Sequence, residues 1–597
     1  MNARELAEQT RNLVAVAMGR APADMVLRQG LWVCVQTGEI VPQTDIAILG
    51  DRIAYVGPDA SYTIGEHTEI IDVQGQYLVP GLLDAHMHVE SGMLTVTEFV
   101  RAVAPHGTTG MFIDPHEIAN VFGLKGVRLM VDEAAQQPIH VWVQMPSCVP
   151  SAPGLESPGG SIGPEEVAEA MTWPGIIGLG EMMNFPGVFN GDEKIHAELA
   201  ETRAAGKVIG GHYAAPDLGN PFHAYAVGGA EDDHEGTREV DAVERARQGM
   251  KVMMRYGSAW HDVEAQVKAV TEMGLDPRRF ILCTDDSHSE TLVNDGHMDR
   301  VLRHAIQQGL APITAIQMMT INSAEHFGLT RDLGMIAPGR FADIVLTDSL
   351  ADFHAQIVIG RGQLIAKDGE LVVNLPAFPY PDWAKNSIRL GKELGAADFS
   401  LPAPREEGEL HANVIGVIEN QAPTRHLKMT VQATAGMVAI DQERDLLKIA
   451  LVERHRATGA VQVGLVHGFG FTGRCAVGTT VAHDSHHMIV VGTDEGQMAL
   501  AANKLAEMKG GQVVIKDNEV IGAVALPIAG LMSDQPAAKV ARDARTVLDG
   551  FKACGCKLNN PNMQLSLLAL VVIPELRISD KGLVDVNRFE FVPVLEA

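Results

Sequence analysis

The chain has 597 residues, too many for one core, so two to four domains are expected. It is 46% hydrophobic, ample for packed interiors and far from the disordered class. Its 75 Asp and Glu against 47 Lys and Arg leave a net charge of −28, which disfavours nucleic acid or an anionic membrane surface as partner but does not exclude a neutral nucleobase.

Residues 1–24 read as an amphipathic helix with Leu6, Leu13, Val14 and Val16 as apolar positions. Glu5 and Glu8 interrupt it, so it does not read as a secretory leader. Residues 25–80 form short β runs such as DIAILG and RIAYVG, broken by Gly, Asp and Pro. From 81 to 330, short apolar runs alternate with amphipathic helical stretches. Strand ends are expected near His88, Asp114, Gln144, Glu181, His212, Asp233, Met254 and Asp285. Eight such units in about 240 residues predict a (β/α)₈ barrel. Residues 331–375 return to β and are expected to join 25–80 in one small β domain. The Pro-rich stretch 376–409 reads as a linker. Residues 410–597 alternate β runs with helices and predict a separate α+β domain.

Six scattered cysteines form neither a disulfide framework nor a metal knuckle, and Cys554 and Cys556 read as packing. With no apolar run long enough to span a bilayer, a cytoplasmic protein is expected.

The sharpest motif is Asp84-Ala85-His86-Met87-His88. Histidines two apart at a strand end share a face, so both can reach one metal. A lone pair of this kind is more often packed than ligating. The odds change because Glu181, His212, His234 and Asp285 also lie at or just beyond expected strand ends, and barrel sites gather on that face. Four histidines and two carboxylates exceed one tetrahedral ion and suit two divalent ions, with zinc, manganese or iron all compatible.

PGLLDAHMH and the closing segment LGMIAPGRFADIVL resemble the amidohydrolase superfamily. DAHMHVESGML, PHGTTGMFIDPHEIANV, DDHEGTREVDAVERARQGM, VAHDSHHMIVVGTDEGQMALA and VIPELRISDKGLVDV resemble, more narrowly, bacterial adenine deaminases, over nearly the whole chain. The resemblance implies a binuclear iron or manganese centre on His86, His88, His212, His234 and Asp285, bridged by Glu181. It implies hydrolysis of adenine to hypoxanthine and ammonia. Hydroxide would attack C6, and Asp285 would pass a proton to the departing amino group. Glu117 is the candidate proton donor to ring N1, although Asp114-Pro115-His116-Glu117 also reads as an ordinary helix start. Asp114, His116, Glu90, Ser91 and Ser287 are expected to contact the base, with Glu90 and Ser91 equally suited to bracing the metal histidines. His288 is a weaker candidate.

Two departures stand out. His212-Tyr213-Ala214-Ala215-Pro216 replaces the Gly-His-Ala-Pro pattern with a loop two residues longer. Ala215 also stands where mononuclear deaminases carry a general-acid glutamate. Another aminopurine or a cyclic amide is the alternative substrate, and a non-catalytic barrel is disfavoured because all six ligand types are present. The cluster His483-Asp484-Ser485-His486-His487 reads somewhat more readily as a solvated turn than as a further metal or substrate contact. A homodimer or larger assembly is expected.

Overall fold

A computed structural model describes residues 3–596. The helix Ala3–Ala17 lies against a nine-stranded sheet, burying Val16 but leaving Leu6 and Val14 exposed. That sheet unites two distant segments. Tyr77–Pro80 pairs antiparallel with Ile344–Thr347, so strands before and after the barrel share one core of Leu27, Ile46, Ile48, Ile344 and Leu346.

The barrel strands are β1 (Leu82–His88), β2 (Thr108–Ile113), β3 (His140–Met145), β4 (Ile176–Met182), β5 (Val208–Gly211), β6 (Asp232–Asp233), β7 (Lys251–Arg255) and β8 (Phe280–Cys283). Both faces of such strands are covered, which is why they read as near-continuous apolar runs. β1 to β5 pair in parallel sequence, as do β6 to β8. The two arcs meet where Glu231 N–H donates to Ile209 O at 2.9 Å. They close again where the short strand Asp285–Asp286 pairs with Met87 and His88.

Inside, Leu83, Phe112, Val208, Met253 and Ile281 form one apolar layer, with Phe327 stacked on Phe112 at 4.0 Å. This layer plugs the barrel beneath its C-terminal mouth. A register shift between Asp84 and Met87 against β2 falls across His86, and bulges of this kind re-aim side chains at barrel rims.

The segment 376–409 is not a slack linker. Tyr380 donates to the buried Glu133 of the barrel. Leu390, Leu394 and Phe399 pack against the helix Glu495–Glu507, and Leu394 N–H donates to Asn503 Oδ1 at 3.1 Å. Its prolines set extended turns, while its irregularly spaced apolar residues are buried.

The C-terminal domain is built on a second nine-stranded, mixed sheet, with Glu495–Glu507 and Ala537–Ala553 among its helices. It sits on the barrel mouth. Ser533 N–H donates to Met93 O at 2.9 Å, Thr95 N–H returns to Ser533 O at 3.2 Å, and His487 donates to Ser157 O at 3.0 Å. Among the described residues no helix is long and apolar enough to cross a membrane.

Candidate metal centre

β1 delivers two histidines whose rings lie 4.9 Å apart, edge to face. His88 Nδ1 donates to Asp114 O at 2.8 Å. That bond places a proton on Nδ1 and turns Nε2 toward Asp285 Oδ1 at 3.2 Å and Glu181 Oε1 at 3.6 Å. His86 Nε2 is buried with no hydrogen-bond partner among the described residues, 3.7 Å from Asp285 Oδ1. Burial, together with His234 and His88 nearby, holds His86 well below the usual imidazole range, so its lone pair is free.

Glu181 ends β4 with its carboxylate divided between two groups. Oε1 lies 3.2 Å from His116 Nδ1, on the side of His88. Oε2 lies 2.5 Å from His212 Nδ1 and 3.1 Å from His234 Nε2. These two ring nitrogens are themselves 3.2 Å apart. The His234 ring stacks on His86 at 4.0 Å, which joins the groups. The six residues expected as ligands are thus brought into one cluster, buried except for a half-buried His212.

The electrostatics fit a cation. Burial alone would lower His212, yet Glu235 and Glu181 raise it to about 9. Burial likewise opposes protonation of His88, but Asp285 and Glu181 raise it well above its ordinary value. Burial raises Glu181 and Asp285, and the surrounding histidines, with Arg255 at Asp285, outweigh it and hold both well below the carboxylate range. Anions this strongly stabilised hold protons on histidines where a divalent ion would displace them. An orphaned imidazole nitrogen, convergent ring nitrogens and a two-sided carboxylate form a donor set suited to divalent metal.

The other expected residues take varied places. Asp114 Oδ2 accepts the Glu181 backbone N–H at 2.8 Å and so braces β4, while its Oδ1 is buried without a hydrogen-bond partner among the described residues. Its neighbour His116 is wedged between two carboxylates, with Nε2 3.3 Å from Glu117 Oε1. Glu90 is buried, and one oxygen lacks a partner among the described residues. Burial and the nearby Glu117 raise it to about 7. Ser91 is held by Asp286. Ser287 is buried two residues past Asp285, and His288 N–H donates to Ser258 Oγ at 2.8 Å.

Three features lay outside the expected set. Arg255, ending β7, donates to Asp285 Oδ2 at 3.0 Å and also binds Glu235. Asp285 sits at φ 62°, left-handed backbone of the kind stored at functional sites. The third overturns the reading of 483–487 as a solvated turn. Asp484, Ser485, His486 and His487 are buried and His483 is half-buried, and His483 and His486 close on Glu117 of the barrel.

Known proteins agree with this architecture. The amidohydrolase family model matches residues 77–378, and the adenine deaminase C-terminal domain matches 421–590. Adenine deaminase 3 of Rhizobium meliloti is 62% identical over 98% of each chain. The adenine deaminase of Ruegeria pomeroyi is 60% identical over 99% of this chain and 98% of its own, and that of Moorella thermoacetica 51% over 99% of both. The chain belongs to the adenine deaminase family.

Membership in this amidohydrolase family makes it a metal-dependent hydrolase of C–N bonds. The loop that carries His483 and His486 falls within the adenine deaminase C-terminal match, while all six clustered donors fall within the amidohydrolase match.

Proposed function

We propose that this chain hydrolyses adenine to hypoxanthine and ammonia on two divalent ions, manganese or iron before zinc, held by His86, His88, His212, His234 and Asp285 and bridged by Glu181. The observation that carries this reading is the division of Glu181. One oxygen faces His88 and the other faces His212 and His234, as a carboxylate shared by two ions requires. The adenine deaminases at 51–62% identity support the substrate.

When bound, such a metal pair supplies a hydroxide-strength nucleophile at neutral pH and polarises the reacting carbon. The chain's own groups do the rest. Asp285, kept ionised by Arg255 and His88, accepts the proton of the hydroxyl added at C6 and passes it to the departing amino nitrogen. Glu117 delivers the proton to N1, and Glu90, Ser91, Asp114, His116 and Ser287 line the same mouth.

The six buried thiols support a reducing, cytoplasmic setting, and the acidic balance supports a small neutral substrate. The apolar side chains Leu6, Val14 and Met18, left exposed by the N-terminal segment, support assembly of two or more copies.

The test is to incubate manganese-loaded protein with adenine in ¹⁸O-water. One ¹⁸O in hypoxanthine per ammonia released supports the reading. Ammonia from another aminopurine, or ring opening of a cyclic amide, with no ammonia from adenine, overturns the substrate.

A further inference from the structure

Glu117 starts a helix on the barrel, yet most of its partners come from the C-terminal domain. His486 Nδ1 accepts the Ala482 N–H at 3.2 Å, which puts the ring proton on Nε2, and Nε2 therefore donates to Glu117 Oε2. His483 Nδ1 lies 2.9 Å from the other oxygen, Oε1. On its barrel side Glu117 meets His116, which in turn reaches Glu181. A continuous series of polar groups thus runs from the domain interface to the candidate metal centre.

The loop that brings in these histidines is firmly held. Arg454 is fully buried and donates to His486 O and to Ala529 O, the latter at 3.0 Å. His455 donates to Ser485 O at 2.8 Å. His486 itself sits at φ 49°, a left-handed conformation that a non-glycine residue keeps only where its surroundings impose it.

The protonation states differ across the cluster. Burial raises Glu117, but His483, His486 and His116 outweigh it and hold the carboxyl well below its usual range. An ionised Glu117 has no proton of its own to give. Burial lowers His486, in keeping with its neutral, fixed tautomer. Burial also opposes a charge on His483, yet Glu117 and Asp484 raise it to about 9. His483 also has the partly open position, with its side chain 19% exposed against 0% for His486.

Taking the site as that of an adenine deaminase, we propose that His483 of the C-terminal domain stores the proton that Glu117 delivers to ring N1, and that His486 fixes Glu117 for the transfer. The proton leaves His483 Nδ1 for Glu117, then leaves Glu117 as the N1–H bond forms on the N1 lone pair. It stays on N1 in the hypoxanthine product. The water that supplies the next hydroxide releases one proton, which recharges His483 from its open edge, so each turnover takes in water and releases ammonia. His483 and His486 act through Glu117 and are positioning residues. The titratable groups facing His483 are Glu117, Asp484, Asp286 and the neutral His486, and those facing Glu117 include His116 and Glu90.

The test compares manganese-loaded, full-length wild type, His483→Asn and His486→Gln. Each is assayed for adenine turnover from pH 6 to 10, with metal counted on the same samples. Wild type is expected to lose rate on the alkaline side near pH 9. In His483→Asn that loss moves down by about one pH unit or more, kcat at pH 8 falls about tenfold or more, KM changes less than about threefold, and metal content is unchanged. His486→Gln, which keeps an N–H toward Glu117, retains the wild-type alkaline limb. A His483→Asn rate lowered equally at every pH makes the histidine a structural brace and overturns the proposal. A third ion lost from that variant also overturns it, because Glu117, His483 and His486 would then be ligands. Wild type with no alkaline loss up to pH 10 overturns it without any variant. No ammonia from adenine in wild type instead overturns the substrate reading beneath it.

Discussion

Arg255 Nη1 lies 3.0 Å from Asp285 Oδ2, and the same guanidinium binds Glu235 and places Nε 2.8 Å from Asp262. One buried arginine therefore balances three carboxylates at the rim of the candidate centre. Removing a partner from a buried ion pair costs about 3–5 kcal/mol. Arg255→Met is expected to lower kcat about a hundredfold or more. Arg255→Lys keeps the charge without the fork and should recover part of it. Steady-state kinetics on metal-counted samples check this, and wild-type kcat in Arg255→Met would remove Arg255 from the account.

Tyr380 tests whether the segment 376–409 is structural. Its hydroxyl donates to Glu133, whose carboxylate also accepts Thr97 N–H at 3.0 Å and Val96 N–H at 3.3 Å at the start of a barrel helix. Tyr380→Phe leaves a buried acceptor short of one donor, at a cost of about 1–3 kcal/mol. A lowered Tm with unchanged KM is expected, and an unchanged Tm would restore the slack-linker reading.

Glu198 gives a pH dependence far from the metal centre. Its carboxylate is fully buried, both oxygens lack hydrogen-bond partners among the described residues, and Lys194 Nζ stands 3.5 Å away. Burial raises it to about 7 from an ordinary 4.5. The folded state therefore holds the proton after the unfolded state has lost it. Stability is intact below about pH 4.5, falls as pH rises to about 7, and then levels off, for a loss of at most about 3 kcal/mol. Glu198→Gln should raise Tm more at pH 8 than at pH 5. Equal shifts at both values would contradict the burial argument.

Much of this was legible in the sequence because the two periodicities are strict. Alternation by two put His86 and His88 on one face, and a carboxylate closing the apolar run before Glu181 marked β4. Arg255 carries no local signal, because a cation after KVMM looks like an ordinary strand end and Met254 reads as the last apolar residue. Contacts across the chain have no local signature. Glu117 and His486 are 369 residues apart, and the polar pentapeptide 483–487 beside a strand has the composition of a surface turn. Likewise Tyr380, Leu390, Leu394 and Phe399 lack any helical or strand spacing, so the prolines dominated that stretch. Asp114 was legible as a rim residue, but its bond to a backbone N–H of β4 was not.

The central claim is that Glu181 joins two metal ions into one hydrolytic centre. The most direct measurement counts metal per chain and ammonia released from adenine on the same samples of wild type and Glu181→Gln. Close to two ions with turnover are expected in wild type, and one ion or fewer with turnover reduced about a thousandfold or more in the variant. Two ions and wild-type turnover in Glu181→Gln would contradict it.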